Sequence, residues 1–519
     1  MLRLHHIVIL LTAAYADCSF AADPPVVNIP SPTFGLDESD KIMASILDAG
    51  AALRYYVNNQ HPLADDNGNQ FGTIDLPRKT IPSGEMRAGT IVTIGGGPYE
   101  GPEIRWHATG TLDTPVLIRS PTNSVLPVIR QKILLSGHYA IVEGLQFDQS
   151  RTSIRIEPGS SYIAIRANRF IGPRKFAGNT SVLGVQGTAT ATTSNIVFAG
   201  NEIRDFGDTQ PESKENDYHG IKASRYCSNI WIVGNRISNM GGDSVQIGDA
   251  KLQDAQRCSR IFITENDFFG NRENAIDIKR ANGVIVAEND IHDFLPPVSI
   301  NAPTIVVHDG AAAVWILANQ ISNARGGVFN TFGTDTWIIG NKINHMWPTP
   351  DSDSEDLYGD GTAVHLRGRS SGGILLNVFS DYRHGVQISG GIEYLISGNL
   401  FAGATGSAGY DLMIKSPSLL ESSVLSQNLH KEFAARVGSS RMARKAQLVD
   451  SSARDTQRMG KLLRATLCQD KSLTLGELDT PAAEYAINRF VEYFGLTSGI
   501  QTIPMPLGAN ELTLWCDSR

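Results

Sequence analysis

The chain has 519 residues, 19% of them charged and 41% hydrophobic, with a formal net charge of −8. This is the composition of a globular protein with more than one domain's worth of chain, not of a disordered one. The negative balance argues against nucleic acid as a partner, and a polyanionic substrate would need a local basic groove or a metal ion.

Residues 1–21 read as a secretory leader: Arg3 is the basic start, Ile7 to Tyr15 a short apolar run, and Ser19, Phe20 and Ala21 a cleavage region. The run is too short to span a bilayer. The expected location is therefore periplasmic or secreted, with no membrane attachment once the leader is removed. Export allows disulfides, and Cys227 and Cys258 each stand two residues ahead of an Asn-Ile or Arg-Ile pair that opens a strand. A Cys227–Cys258 bond is expected between adjacent coils, and a Cys468–Cys516 bond in the tail.

Residues 22–88 are expected to hold an extended Pro-rich segment and then a helix between Asp37 and Val57 that caps the first coil. From residue 89 to 415 one unit repeats, a short apolar strand ended by asparagine. Its copies end at Asn168, Asn201, Asn235, Asn266, Asn289, Asn319, Asn341 and Asn399. A constant strand with loops of variable length is the mark of a solenoid, here a parallel β-helix. Asparagine tolerates the left-handed conformation of a corner, and its amide can bond the equivalent amide one coil away. Residues 416–519 change character. Residues 452–467 and 481–496 read as helices, the second opened by Thr480 and Pro481, and form a mostly helical C-terminal cap.

A second strand accompanies each Asn strand. Its period-two alternation puts Ile221, Val245, Ile276, Ile305, Val328, Val364, Val386 and Leu412 inside. Two outward columns result. One contains Lys222, Gln246, Asp277, Val306, Phe329, His365, Gln387 and Met413; the other contains Ser224, Gly248, Lys279, His308, Thr331, Arg367, Ser389 and Lys415. Lys, Asp, His, Arg and an aromatic side chain gather on the middle coils, where a groove would hold a linear polymer. Asp243 and Glu273 enter their strands at nearly equivalent positions one coil apart, and His219 precedes Lys222.

Carboxylates beside amine and imidazole suit β-elimination on a uronic acid. The proton to be removed lies next to a carboxylate whose charge must be neutralised as the carbanion forms, and calcium or arginine can do this. Lys279 is the first candidate for the base and Lys222 the second, with His308 as a further catalytic candidate. Asp243, Glu273 and Asp277 supply the oxygen ligands that Ca2+ prefers. His365, Arg367, Phe329 and His219 are candidate substrate contacts. Each has a structural alternative: a solvated lysine, a turn aspartate, a loop-sealing phenylalanine, a hydrogen-bonding histidine.

The opening coils read Gly95-Gly-Gly-Pro-Tyr-Glu-Gly101, then Gly110-Thr-Leu-Asp-Thr-Pro-Val-Leu-Ile-Arg-Ser120, then Ser136-Gly-His-Tyr-Ala-Ile-Val-Glu-Gly-Leu-Gln-Phe147. This stretch resembles pectate-lyase-like β-helices, particularly the alginate lyase and chondroitinase B family of polysaccharide lyases, over roughly 89–415. The resemblance implies an all-β, right-handed parallel β-helix. It also implies a calcium ion held by acidic residues, a lysine base and an assisting arginine. Asp277-Ile-Lys279 is similar to the family's lysine strand, with Glu273 upstream, and the next coil offers His308-Asp-Gly310 where an arginine is expected. His219-Gly-Ile-Lys222 resembles the lysine strand of another pectate lyase family. The expected function is that of an exported, monomeric polysaccharide lyase on an acidic polysaccharide. The alternatives are a β-helix glycoside hydrolase, a uronate epimerase, or a non-catalytic polysaccharide-binding or export accessory protein.

Overall fold

The computed structural model describes residues 29–415 apart from 51, 123, 149–151, 173–178, 210–216, 295–302, 348–360, 376, 392, 398 and 405–408. Beyond these it describes only the short strands Ile7–Val8, Val26–Val27, Ser423–Ser426, Leu429–His430, Ala435–Val437 and Ser440–Met442. The expected leader cleavage, the Cys468–Cys516 bond and the helices at 452–467 and 481–496 lie outside the described residues. No helix among the described residues is long and apolar enough to cross a membrane. The chain forms two compact units, one from Pro32 to Ala281 and one from Asn282 onward.

In the first unit each coil contributes three strands. One coil runs Thr193–Ala199, Glu202–Arg204 and Tyr218–Ala223; the next runs Cys227–Val233, Arg236–Ser238 and Val245–Ile247; the next Ser259–Thr264, Asp267–Phe269 and Ile276–Ile278. Each strand pairs in parallel with its counterpart one coil on, so Ile196 faces Ile230 and Ile230 faces Ile261. These columns are fully buried and form a continuous apolar core. Aromatic side chains stack along it, Phe147 on Phe170 at 4.8 Å and Trp231 on Phe262 at 5.2 Å between ring centres.

At one corner of the coil the asparagines bond in series. The Asn201 amide nitrogen donates to Asn235 Oδ1 at 2.9 Å, and that of Asn235 to Asn266 Oδ1 at 3.0 Å. The second unit repeats the device from Asn289 through Asn319, Asn341 and Asn377 to Asn399. Asn377 is a rung the sequence reading passed over, because Leu375-Leu376 precedes it where other copies have a small or charged residue.

The start of the first unit differs from expectation. The helix is Ser39–Asp48, and Leu53–Asn58 is a strand paired with Thr90–Gly95, so coiling begins ahead of residue 89. The helix packs on the flank. Ser39 Oγ donates to Glu143 Oε2 at 2.7 Å, and the Arg166 guanidinium donates to the Gly35 and Asp37 carbonyls at 2.6 and 2.7 Å. The outer edge of Leu53–Asn58 is instead met by the following loop. Tyr56 N–H donates to the Phe71 carbonyl at 2.9 Å, and Arg78 N–H to the Tyr56 carbonyl at 2.8 Å. Satisfying open-edge amides is what removes the risk of pairing with another chain.

Cys227 and Cys258 are both buried, but both are free thiols. The two thiols are in side-chain contact with each other without the expected bond between them, and Cys258 Sγ also lies 3.6 Å from the Ala223 carbonyl.

Candidate active site

Strands Tyr218–Ala223, Val245–Ile247 and Ile276–Ile278 of the first unit align Ile221 with Val245 and Ile276 inside, and Lys222 with Gln246 and Asp277 outside. Each rung is about 4.8 Å, so the Lys222 and Asp277 backbones stand about 10 Å apart. Lys279 shares a face with Asp277, and its Nζ lies 2.5 Å from Asp277 Oδ2. Gly248 makes the close approach of this segment possible. Its φ is +76°, and a Cβ there would sit 1.7 Å from the Lys279 carbonyl oxygen. Lys222, by contrast, is half-buried and makes no ion pair among the described residues.

Beneath this column lies a buried pair. His219 Nδ1 is 3.0 Å from Asp243 Oδ2, each side chain only 1% exposed. The Asp243 N–H donates to the same His219 Nδ1 at 3.1 Å. Asp243 Oδ1 accepts the Asn274 N–H at 3.1 Å, and Oδ2 faces the Gln246 amide nitrogen at 3.4 Å. His219 Nε2 is buried with no hydrogen-bond partner among the described residues. Gly242 admits the ring, since a Cβ at that position would come within 2.9 Å of His219 Nδ1.

Arg272 organises the rim. Its Nη2 donates to Asp217 Oδ1 at 2.7 Å and to Glu273 Oε1 at 3.2 Å, and its Nε to the Gly241 carbonyl at 2.6 Å. Sequence reasoning did not single out Arg272, because a corner residue stands outside the period-two alternation that identified the others.

Burial sets the protonation states. It draws the Lys222 amine below its ordinary value, helped by the Lys279 charge and opposed by Asp249. Burial acts on Lys279 in the same downward sense, but Asp277, Asp243 and Glu273 outweigh it and the net direction is upward. His219 is pushed down to about 3, chiefly by burial and then by Lys222. Asp243 is raised well above the carboxylate range by burial and by Asp277, and Glu273 is pushed up to about 9 by burial, Asp243 and Asp217.

The acids expected to hold calcium do not fit that ion as arranged. Both oxygens of Asp243 face donors inside the core, Asp277 Oδ2 carries the Lys279 ammonium, and Glu273 Oε1 carries Arg272. Hard cations need several carboxylate or carbonyl oxygens converging on one point. Among the described residues no three His, Cys, Asp or Glu side chains converge in that way. His219 and Asp243 are also too deep to touch a substrate.

His308, Phe329, His365 and Arg367 belong to the second unit. Phe329 stands opposite His365 in the outward column, but both are buried, 2% and 4% exposed. Their rings meet edge to face at 5.0 Å, and His365 Nε2 bonds Ser389 Oγ at 2.9 Å. The expected open sugar platform is therefore closed over by its own neighbours. His308 and Arg367 are half-buried at the ends of Ile305–Val307 and Thr362–Leu366.

No curated protein matches this sequence. Among solved structures, a mannuronic acid specific polysaccharide family 6 lyase from human gut microbiota is 14% identical, covering 86% of this chain and 100% of that one, with a TM-score of 0.44. A family 6 alginate lyase in complex with a trisaccharide is 11% identical over 80% of this chain and 86% of its own, TM-score 0.41. The A-module of a mannuronan C-5 epimerase from Azotobacter vinelandii is 14% identical over 61% and 90%, TM-score 0.38. Residues 175–343 match the family model for a right handed beta helix region. With the parallel register of every coil, that match identifies the fold as a right-handed parallel β-helix.

Proposed function

We propose that the chain is an exported polysaccharide lyase that cleaves a uronic-acid polymer by β-elimination, with Lys222 as base. The observation that carries this is the outward column Lys222–Gln246–Asp277 with Lys279 beside it, in which one lysine is unpaired and the other is held charged. Burial favours the neutral amine at Lys222, the form a base needs, and Asp277 favours the ammonium at Lys279. This reverses the order of the two lysines expected from the sequence.

The Lys222 amine takes the proton on the carbon next to the uronate carboxylate. The electron pair spreads into that carboxylate, where the Lys279 ammonium stabilises the added charge. The pair then forms the carbon–carbon double bond as the glycosidic carbon–oxygen bond breaks, and the leaving oxygen takes a proton. Glu273, half-buried on the rim and pushed up to about 9, is the candidate donor. A row of rungs presents such groups along one line, which suits a linear polymer.

The test is incubation with alginate, pectate, glycosaminoglycans and bacterial exopolysaccharides, reading the ultraviolet absorbance of unsaturated ends. Lys222→Ala should lower turnover by about a hundredfold to ten-thousandfold, as expected for a lost general base, with the circular dichroism unchanged, and exhaustive chelation should leave turnover intact. New reducing ends without absorbance would mean hydrolysis, inverted uronates without cleavage an epimerase, and loss on chelation a calcium-dependent site. Each of these would replace the mechanism given.

A further inference from the structure

A hollow of about 310 Å3 lies on the flank of the first unit, lined by Glu202, Arg204, Asp205, Arg236, Ser238, Asn239 and Phe269. It is built on the strands Glu202–Arg204, Arg236–Ser238 and Asp267–Phe269, a different sheet from the one bearing Lys222. One outward column here reads Arg204, Ser238, Phe269 on successive coils. The small Ser238 between two large side chains makes the hollow, and the side chains around it are held in place. The Arg236 guanidinium sits 4.9 Å from the Phe269 ring centre, and its Nε bonds Asp267 Oδ2 at 3.1 Å. Arg204 Nη1 bonds Asp205 Oδ2 at 2.5 Å, and Asn239 Nδ2 donates to Asp205 Oδ1 at 3.1 Å. Gly270, with φ +67°, leaves room for this, since a Cβ there would lie 2.7 Å from Asn239 Oδ1.

We infer that this hollow binds a pyranose ring of a polysaccharide, as an outer contact separate from the catalytic column. The Phe269–Arg236 pair offers a flat apolar and π surface to the C–H face of a sugar, while Asn239, Ser238 and the carboxylates offer donors and acceptors to hydroxyls. The volume is at the low end for small-molecule sites, the size of one or two sugar units. The lining's two guanidiniums are matched by two carboxylates, so the site recognises ring and hydroxyls and is indifferent to a uronate charge. Position adds a reason. Asn239 and Asp243 bound one corner and Phe269 and Glu273 the next, so the same two turns carry the hollow on one side and the candidate site on the other. A chain bound in the hollow is held close to the lysines. The inference rests on the reading of this chain as polysaccharide-active, and deepens it.

The experiment is calorimetric titration of the full chain with alginate, polygalacturonate and neutral cello-oligosaccharide hexamers, repeated on Phe269→Ala and on Arg236→Ala. Both residues are outside the catalytic column. Loss of the stacking surface should weaken a charge-independent binding event about tenfold in each variant. Turnover of short oligomers should be unchanged and KM for long polymer raised. Identical isotherms for wild type and both variants, or binding that vanishes with the Lys222→Ala change instead, would overturn the hollow as a site. Because the neutral oligosaccharide has no uronate for β-elimination, its isotherm reads binding without turnover, so the hollow can fail while the lyase reading stands, and the reverse.

Discussion

At the scale of single residues, the buried histidines make the most definite claim. His365 is buried against Phe329 and Ser389 on the outward face, and burial, with Arg367, Lys415 and His384 nearby, pushes it down to about 3. Its ordinary value is about 6.5. Below that pH the unfolded chain takes up a proton that the folded protein refuses until about pH 3. Stability therefore falls as pH drops through this window, by up to about 1.4 kcal/mol per pH unit for this one group. His365→Gln, which keeps a polar partner for Ser389, should flatten the loss. Melting temperatures of wild type and variant between pH 7 and pH 4 should converge as the medium becomes more acidic, and parallel curves would show that His365 is not held neutral. The same burial explains why these residues misled the sequence reading. Period-two alternation correctly put Phe329 and His365 in one outward column, but alternation says nothing about what covers a column.

At the scale of the repeated element, the asparagine corner and the register of the strands were legible because both are purely local patterns. An apolar alternation fixes which residues share a face, and a one-residue slip would turn the whole face over. Lys222, Gln246 and Asp277 therefore line up as their spacing required. The stretch Leu53–Asn58 was not legible in this way. Leu53 and Tyr56 keep a helical interval, and only the pairing with Thr90–Gly95 makes the segment a strand. The corner residues were not legible either. Nothing in the string Gly241-Gly-Asp243 says that Asp243 turns inward against His219, a choice made by the space Gly242 leaves. The ladder itself makes a prediction. Asn201 accepts the Asn168 N–H at 3.1 Å and donates to the Ile165 carbonyl at 2.9 Å, in addition to its bond with Asn235. Asn201→Ala strands both of those main-chain groups in the core, at about 1–3 kcal/mol each. A denaturant titration should show a loss of about 3 kcal/mol or more, against about 0.5 kcal/mol or less for exposed Arg169→Ala on the preceding coil. Equal small losses would mean that the corner is held by packing and not by its amides.

At the scale of the whole molecule, the charge balance opposes the proposed substrate. A protein of net charge −8 repels a polyuronate at long range. Close to the candidate site the sign differs. The Lys279 ammonium is the charge that the proposed step sets against the substrate carboxylate, and burial raises Asp243 and Glu273 toward their uncharged forms, which removes their repulsion. A polymer must therefore cross a repulsive approach to reach a locally attractive patch, and salt acts on these two distances unequally. The screening length shrinks from about 30 Å at 0.01 M to about 10 Å at 0.1 M. Over that interval the long-range repulsion is removed, while contacts of a few ångströms between lysine and carboxylate survive. We predict that kcat/KM on a uronate polymer rises with added salt up to about 0.1 M and declines only beyond it, as contact attraction is screened in turn. A neutral polysaccharide should show no rise. A monotonic fall from the lowest ionic strength would mean that a basic surface steers the substrate in, and would move the search for the binding groove away from the Lys222 column.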